Sequence, residues 1–145
     1  MASVEWVYFL DRLAPARTYW LATTTPDGAP HAAPVWGAVA EGRLCFFSER
    51  STVKARNIAH DPRVLVHLES GEDVVMARGR LIDLGAPADV PAVIAAFAAK
   101  YVDPADAVYL PPTDPASDVV WALEPTSATA WSLEELETSQ VRWRA

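Results

Sequence analysis

One cysteine, Cys45, stands in 145 residues, so no intrachain disulfide can staple the fold. Its neighbours Leu44, Phe46 and Phe47 are apolar, and it reads as a small buried hydrophobe, not a reactive thiol. The three histidines, His31, His60 and His67, lie far apart, and no His/Cys spacing resembles a zinc site. The chain has no G-x-S-x-G elbow, no Walker loop and no G-x-G-x-x-G. The acidic residues form no recognisable acid/base pair. No stretch approaches the roughly 20 apolar residues that span a bilayer. The N-terminus, MASVEWVYFLDRL, lacks the basic start and apolar run of a signal peptide. The expectation is a cytoplasmic protein without a membrane partner. Cations are also scarce: 12 Lys and Arg stand against 19 Asp and Glu, a net charge of −7. That field repels polyanions, so no nucleic-acid partner is expected.

What is present suits a folded domain. Hydrophobic residues make up 51% and charged residues 21%, an ordinary globular balance. The length favours one domain over residues 1–145.

Ser3 is placed to cap a helix running to Leu13, with Val4, Tyr8, Leu10 and Leu13 as its apolar face. Tyr19–Thr25 reads as a strand and Pro26-Asp27-Gly28 as a turn. Pro30–Val39 reads as a second strand, confined to an edge or bulge by Pro30 and Pro34. Glu41-Gly42 turns the chain into a third, Arg43–Ser48, and the three are expected as a meander. Ser51–His60 reads as a helix stopped by Asp61-Pro62. Arg63–Glu69 and Val74–Leu84 follow as strands, with a bulge expected at Gly79. Pro87–Tyr101 is an Ala-rich helix with Val90, Val93, Ile94, Phe97 and Tyr101 at helical spacing. Asp103–Asp118, with four prolines, reads as a loop long enough for a functional or partner-contacting role. Val119–Glu124 and Ser127–Trp131 are expected as two closing strands around a Pro125 turn. Short strands with regular turn signals predict a mainly β, closed barrel with peripheral helices.

Two groups of residues suit a ligand. Arg50, Lys54 and Asn57 fall in one sector of the expected helix near its N-terminus. Cations, an amide and free N–H groups fit a phosphate or carboxylate, and equally a solvated surface helix. Pro34-Val35-Trp36 beside Phe46-Phe47-Ser48 fits a planar heterocycle, and equally an aromatic core.

The combination PDG-x-PH-x-x-PVW, then K-x-RN followed by DPRV, then VVWALEPTSATAW and VRWR carries a resemblance. From about Trp20 to Arg144 the chain resembles the pyridoxamine 5'-phosphate oxidase-like split β-barrel proteins, and among them the actinobacterial branch that uses the deazaflavin coenzyme F420. The resemblance implies an FMN-binding split-barrel fold and a homodimer with two cofactor sites at the interface. It implies that Lys54 and Asn57, with Arg50 or Arg56, hold the cofactor phosphate. It implies that Val35 and Trp36 line the ring and that Phe47 and Ser48 contact its pyrimidine side or linker. The partner's tail would close the site with Arg142 and Trp143, and Trp131 belongs to the same closing segment. The implied reaction is hydride transfer from coenzyme F420 to a small conjugated or heteroaromatic molecule, tetrapyrroles among the candidates, with no catalytic acid or base assigned. An FMN-dependent oxidoreductase and a non-catalytic flavin carrier stand as alternatives. The chain departs from many relatives at Thr25, where they have an arginine, and at Val141 and Ala145, which replace the outer residues of a T-R-W-R-F ending.

Overall fold

The computed structural model describes residues 1–112 and 117–145. The chain order is β1 (Ala2–Ser3), α1 (Trp6–Leu13), β2 (Tyr19–Thr24), β3 (Pro30–Val35), β4 (Gly37–Ala40), β5 (Arg43–Glu49), α2 (Val53–His60), β6 (Arg63–His67) and β7 (Asp73–Gly85). Then come α3 (Pro91–Lys100), a 3-10 helix (Pro104–Tyr109), β8 (Asp118–Ser132), α4 (Leu136–Ser139) and β9 (Val141–Arg144). No helix is long and apolar enough to cross a membrane among the described residues.

The strands pair in the order β3-β2-β6-β7-β8-β5-β4, with β9 and then β1 continuing from the C-terminal half of β8. β8 is the hub. It pairs with β7 along most of its length, with β5 through Asp118–Ala122 and with β9 through Ser127–Ala130. The two ends of the seven-strand path, β3 and β4, are consecutive in the chain and separated by Trp36 alone. No ladder joins them among the described residues, so covalent chain closes the ring at this point. The result is a mainly β barrel, split at this joint, with the helices peripheral.

The interior is filled by alternate residues of the strands. Tyr19, Leu21, Phe46, Val66, Val75, Val119 and Leu123 lie inside, with Phe9 and Leu13 of α1 against them. Each such aliphatic or aromatic side chain contributes about 1.5–3 kcal/mol by leaving water. A second cluster forms outside β4 and β5, where Val93 and Phe97 of α3 and Tyr101 just past its end cover Ala38, Cys45 and Val120. Cys45 is buried there as expected, and burial pushes its thiol up to about 11.

Several expected elements are corrected. α1 starts at Trp6, because Ser3 is drawn into parallel pairing with Arg142. Its buried face is Phe9 and Leu13, four residues apart, while Tyr8 stays exposed. The expected strand Pro30–Val39 breaks at Trp36 into β3 and β4. The expected three-strand meander is therefore two separate hairpins, β2–β3 and β4–β5. α2 begins at Val53, with Thr52 as N-cap accepting from the Ala55 N–H at 3.2 Å, so Arg50 precedes the helix. The Asp103–Asp118 loop contains the 3-10 helix, opened by the Asp103 carboxylate accepting from Ala105 N at 2.9 Å. Its residues 113–116, with Pro115, lie outside the described residues.

The two expected closing strands are one strand, β8, which runs through Pro125. The register against β7 jumps from Arg78–Ser127 to Gly79–Pro125. A proline is tolerated at such a bulge because no ladder N–H is needed from it. Gly79 makes the bulge possible, since a Cβ there would sit 2.3 Å from Glu124 O. We expect Gly79→Ala to cost about 1–3 kcal/mol, the usual range for overpacking, read as a lowered urea midpoint. An unchanged midpoint would mean that the two strands do not meet in this register.

Candidate functional site

A cleft of about 620 Å³ opens at the joint where the ring closes. Its walls are Pro34, Val35 and Trp36 from the end of β3, Phe47, Ser48 and Glu49 from β5, Thr52 and Lys54 from the start of α2, with Thr18 and Tyr109. The register explains the meeting. The β4–β5 ladder ends at the Gly37–Phe46 pair, and the residues just beyond it, Trp36 and Phe47, both line the cleft. Two residues past Phe47, β5 ends and the chain turns into α2. One end of the cleft is therefore aromatic and the other is a helix start.

At the helix start, the Ser48 hydroxyl lies 2.9 Å from Thr52 Oγ1. The N–H of Ala55 is taken by Thr52, while those of Val53 and Lys54 have no partner among the described residues. Lys54 is half-buried and has no carboxylate within ion-pair distance among the described residues. Burial lowers its pKa, with Glu49 opposing the shift. An ammonium held partly out of water without a counter-ion favours an anion brought by a ligand.

At the aromatic end, the half-buried Trp36 ring is stacked on Tyr101, 4.2 Å between centroids at 6°. Behind it lies a knot of polar groups centred on Gly37. The Tyr101 hydroxyl accepts from Gly37 N at 3.1 Å and has Arg17 O at 2.7 Å as its nearer acceptor. Lys100 Nζ donates to Gly37 O at 2.6 Å and to the Tyr19 hydroxyl at 2.9 Å. Tyr19 in turn donates to Leu13 O at 2.6 Å, at the end of α1. Gly37 can occupy this position only without a side chain, because a Cβ would meet Phe46 at 2.7 Å and Tyr19 at 2.9 Å.

Of the sequence-predicted residues, Val35, Trp36, Phe47, Ser48 and Lys54 share the cleft. Arg50 and Arg56 line a different groove of about 470 Å³, with Ile58, Leu81, Asp83 and Trp121. Arg50 is paired there with Asp83 at 3.1 Å. Arg50, Lys54 and Asn57 thus do not share one helical sector, since Arg50 is not on the helix. Asn57 is buried, and its Nδ2 donates to Thr23 Oγ1 at 3.1 Å, tying α2 to β2. Arg142 and Trp143 lie on β9 beside a third hollow with Ser3, Val4 and Glu5, and Trp143 packs 5.3 Å from Trp6. Sequence reasoning missed Thr18, Glu49 and Tyr109 as walls, and Arg17, Lys100, Tyr101 and Asp106 behind them. Tyr101 carried only a core-helix signal, and Tyr109 carried none.

Burial without a carboxylate partner pushes Lys100 down to about 8. Below that pH Lys100 is charged in both folded and unfolded chains. Between about 8 and its ordinary value near 10.4, the unfolded chain keeps the proton and the folded chain sheds it. The unfolded state then binds more protons, so stability from this group rises with pH. Tyr19 and Tyr101 are raised by burial and stay protonated in the fold through this window. The stability of the wild type relative to Lys100→Met is expected to increase from pH 8 to 10 in denaturation curves. A flat difference would show that Lys100 is not titrating in the knot.

The family model described as pyridoxamine 5'-phosphate oxidase matches residues 9–132. Among solved structures, a conserved hypothetical protein of Mycobacterium tuberculosis, Rv2991, is similar at 22% identity with a TM-score of 0.74. That likeness covers 94% of this chain and 89% of the other. An F420 reductase is 27% identical with a TM-score of 0.63, over 81% of this chain and 94% of the other. A pyridoxamine 5'-phosphate oxidase-related, FMN binding protein from Nostoc punctiforme PCC 73102 is 21% identical with a TM-score of 0.65, over 98% and 91% of the two chains. A search of curated proteins finds no match.

Proposed function

Because the chain belongs to the pyridoxamine 5'-phosphate oxidase family, we propose that its cleft holds a flavin-type cofactor and that the protein is an oxidoreductase using coenzyme F420. The observation that carries this reading is the half-buried, unpaired Lys54 at a helix start, in one cleft with Trp36 and Phe47. The likeness to an F420 reductase at 27% identity supports the choice of cofactor.

The residues present fit such a group. A volume of about 620 Å³ lies within the range of roughly 300–1,000 Å³ usual for ligand clefts. Lys54 and the N–H groups of Val53 and Lys54 would hold the phosphate. Val35, Trp36 and Phe47 give a flat apolar wall for the ring and keep water from it. Ser48 lies between the two ends, its hydroxyl tied to Thr52. When bound, the cofactor supplies a hydride for a small conjugated or heteroaromatic substrate. Among the described residues, the titratable side chains in the walls are Glu49, Lys54 and Tyr109, and none is assigned as an acid or base.

One observation favours FMN as a second reading. Arg50 and Arg56 face another groove, and Thr25 stands where many relatives have an arginine, so the cleft walls carry a single cation. A longer anionic tail would need cations from elsewhere. We place those in a second copy of the chain. The outer row of the sheet runs Pro34, Trp20, His67, Met76, Thr129, Arg142 across five ladders. Trp20 is 36% exposed in this row and pairs with Pro34, itself a wall of the cleft. A homodimer covering that face borders the site, and the partner's tail with Arg142 and Trp143 would complete it. The fit needs no nucleic-acid or membrane partner.

Titration followed by tryptophan fluorescence tests the reading. Lys54→Ala is expected to bind coenzyme F420 about ten- to a hundredfold more weakly, since a charge-assisted contact contributes roughly 1.5–3 kcal/mol. Arg56→Ala, in the other groove, is expected to bind within about twofold of wild type. Equal affinities for wild type and Lys54→Ala would remove the cleft from the reading, and tighter binding of FMN would favour the second cofactor. In sedimentation velocity, Trp20→Glu is expected to convert a dimer to a monomer, and a wild-type monomer at micromolar concentration would overturn the interface.

A further inference from the structure

The 3-10 helix Pro104–Tyr109 is attached to the barrel in an unusual way. Its single buried residue is a carboxylate, Asp106. Arg17 donates to both Asp106 oxygens, at 3.0 and 2.7 Å. The guanidinium holds the Asp106 pKa below its ordinary value. Arg17 also lies beside the stacked aromatic pair, 4.9 Å from the Trp36 centroid and 5.8 Å from that of Tyr101. A cation on the face of Trp36 opposite Tyr101 would stand two contact spacings, roughly 7 Å, from Tyr101. The 5.8 Å distance therefore places Arg17 at the rim of the pair.

Tyr109 ends the same short helix. Its ring is 5.8 Å from Trp36 at 73°, it lines the cleft, and it is 64% exposed. No hydrogen bond from its hydroxyl occurs among the described residues, and its recorded aromatic contact is the one with Trp36. The two aromatic planes, at 73°, form a corner in the wall of the cleft. Such a corner suits a flat ring, which stacks on one plane and meets the other edge-on.

We propose that Tyr109 holds the ligand's ring in this corner, and that Arg17 and Asp106 position it through the ion pair that fastens the 3-10 helix. The inference rests on the reading that the cleft takes a flavin-type ring. It adds that ring recognition comes from two separate parts of the chain: the joint at Trp36, and a segment tied on by charge. Tyr109 would touch the ligand, whereas Asp106 and Arg17 would act only through Tyr109.

The test compares ring and phosphate. Coenzyme F420, FMN and the phosphate-free ribityl form of each are titrated into wild type and variants. Tyr109→Ala is expected to weaken each ribityl form and its phosphate-bearing form by the same factor, about three- to tenfold, as for a lost aromatic contact. Lys54→Ala is expected to weaken only the phosphate-bearing forms. Tyr109→Phe is expected to restore the affinity lost in Tyr109→Ala. Asp106→Asn should weaken binding in the same direction, and the double variant Asp106→Asn/Tyr109→Ala should be no weaker than Tyr109→Ala alone. Additive losses would overturn the positioning role of Asp106. Wild-type affinity in Tyr109→Ala would overturn the proposal while leaving the functional reading intact. Failure of wild type to bind any of the four probes would remove both.

Discussion

The backbone of Gly37 is the point on which the rest of this molecule depends. It directly follows Trp36, where the ring of strands is closed by chain instead of by a ladder. A closure of that kind has no cross-strand hydrogen bonds to hold it, so its polar groups need other partners. They find them in Lys100 at the end of α3 and Tyr101 that caps it, which also reach Tyr19 and Arg17. One small knot therefore fastens α1, β2, the joint and α3 together. It also decides how Trp36 stands, because Tyr101 is both a knot member and the ring on which Trp36 stacks. Stability and site geometry share the same atoms here. A polar group half out of water costs free energy unless it is bonded, and the near-complete pairing of this knot offsets that cost.

The other constraint is the placement of α2, which separates two grooves with different electrostatics. The Lys54 side faces the joint and holds a cation with no ion-pair partner among the described residues. The Arg56 side meets Arg50, whose charge is answered by Asp83. In an acidic chain, an anion is attracted by the local field, and the first groove holds its helix-start cation half-buried, whereas Arg56 in the second is exposed to water. Asn57 fixes this division from within. By donating to Thr23 it clamps the helix to β2, so the rotation that assigns Lys54 to one side and Arg56 to the other is set by a buried amide.

Much of the sheet was legible because its strands alternate cleanly and its turns use residues with a defined backbone preference. Tyr19–Thr24, Arg43–Glu49 and the bulge at Gly79 follow from such local chemistry, and Val93, Phe97 and Tyr101 from helical spacing. The errors come from long-range causes. Pro125 looks like a terminator, and only the opposing Gly79 lets β8 continue through it. Trp36 looks like mid-strand, and only the closing of the ring turns the chain there. Arg50 and Lys54 share a sector on an ideal helix, but the Thr52 cap starts the helix after Arg50. For the site, the PVW and K-x-RN segments pointed to half of the cleft wall. Tyr109 was hidden in a proline-rich stretch whose geometry is imposed by an ion pair across the fold, which no local pattern announces.

The hub position of β8 has a consequence for how the protein is made. β5 needs β8 to complete its pairing, β7 spends most of its length on it, and β9 has no other antiparallel neighbour. During synthesis the first half of the chain emerges long before residues 118–132. Until then β5 and the outer reach of β7 present open edges, the kind of surface that invites wrong pairing. The barrel cannot settle strand by strand as it leaves the ribosome. Its assembly waits for one late segment, and in that interval the edges of β5 and β7 stay open.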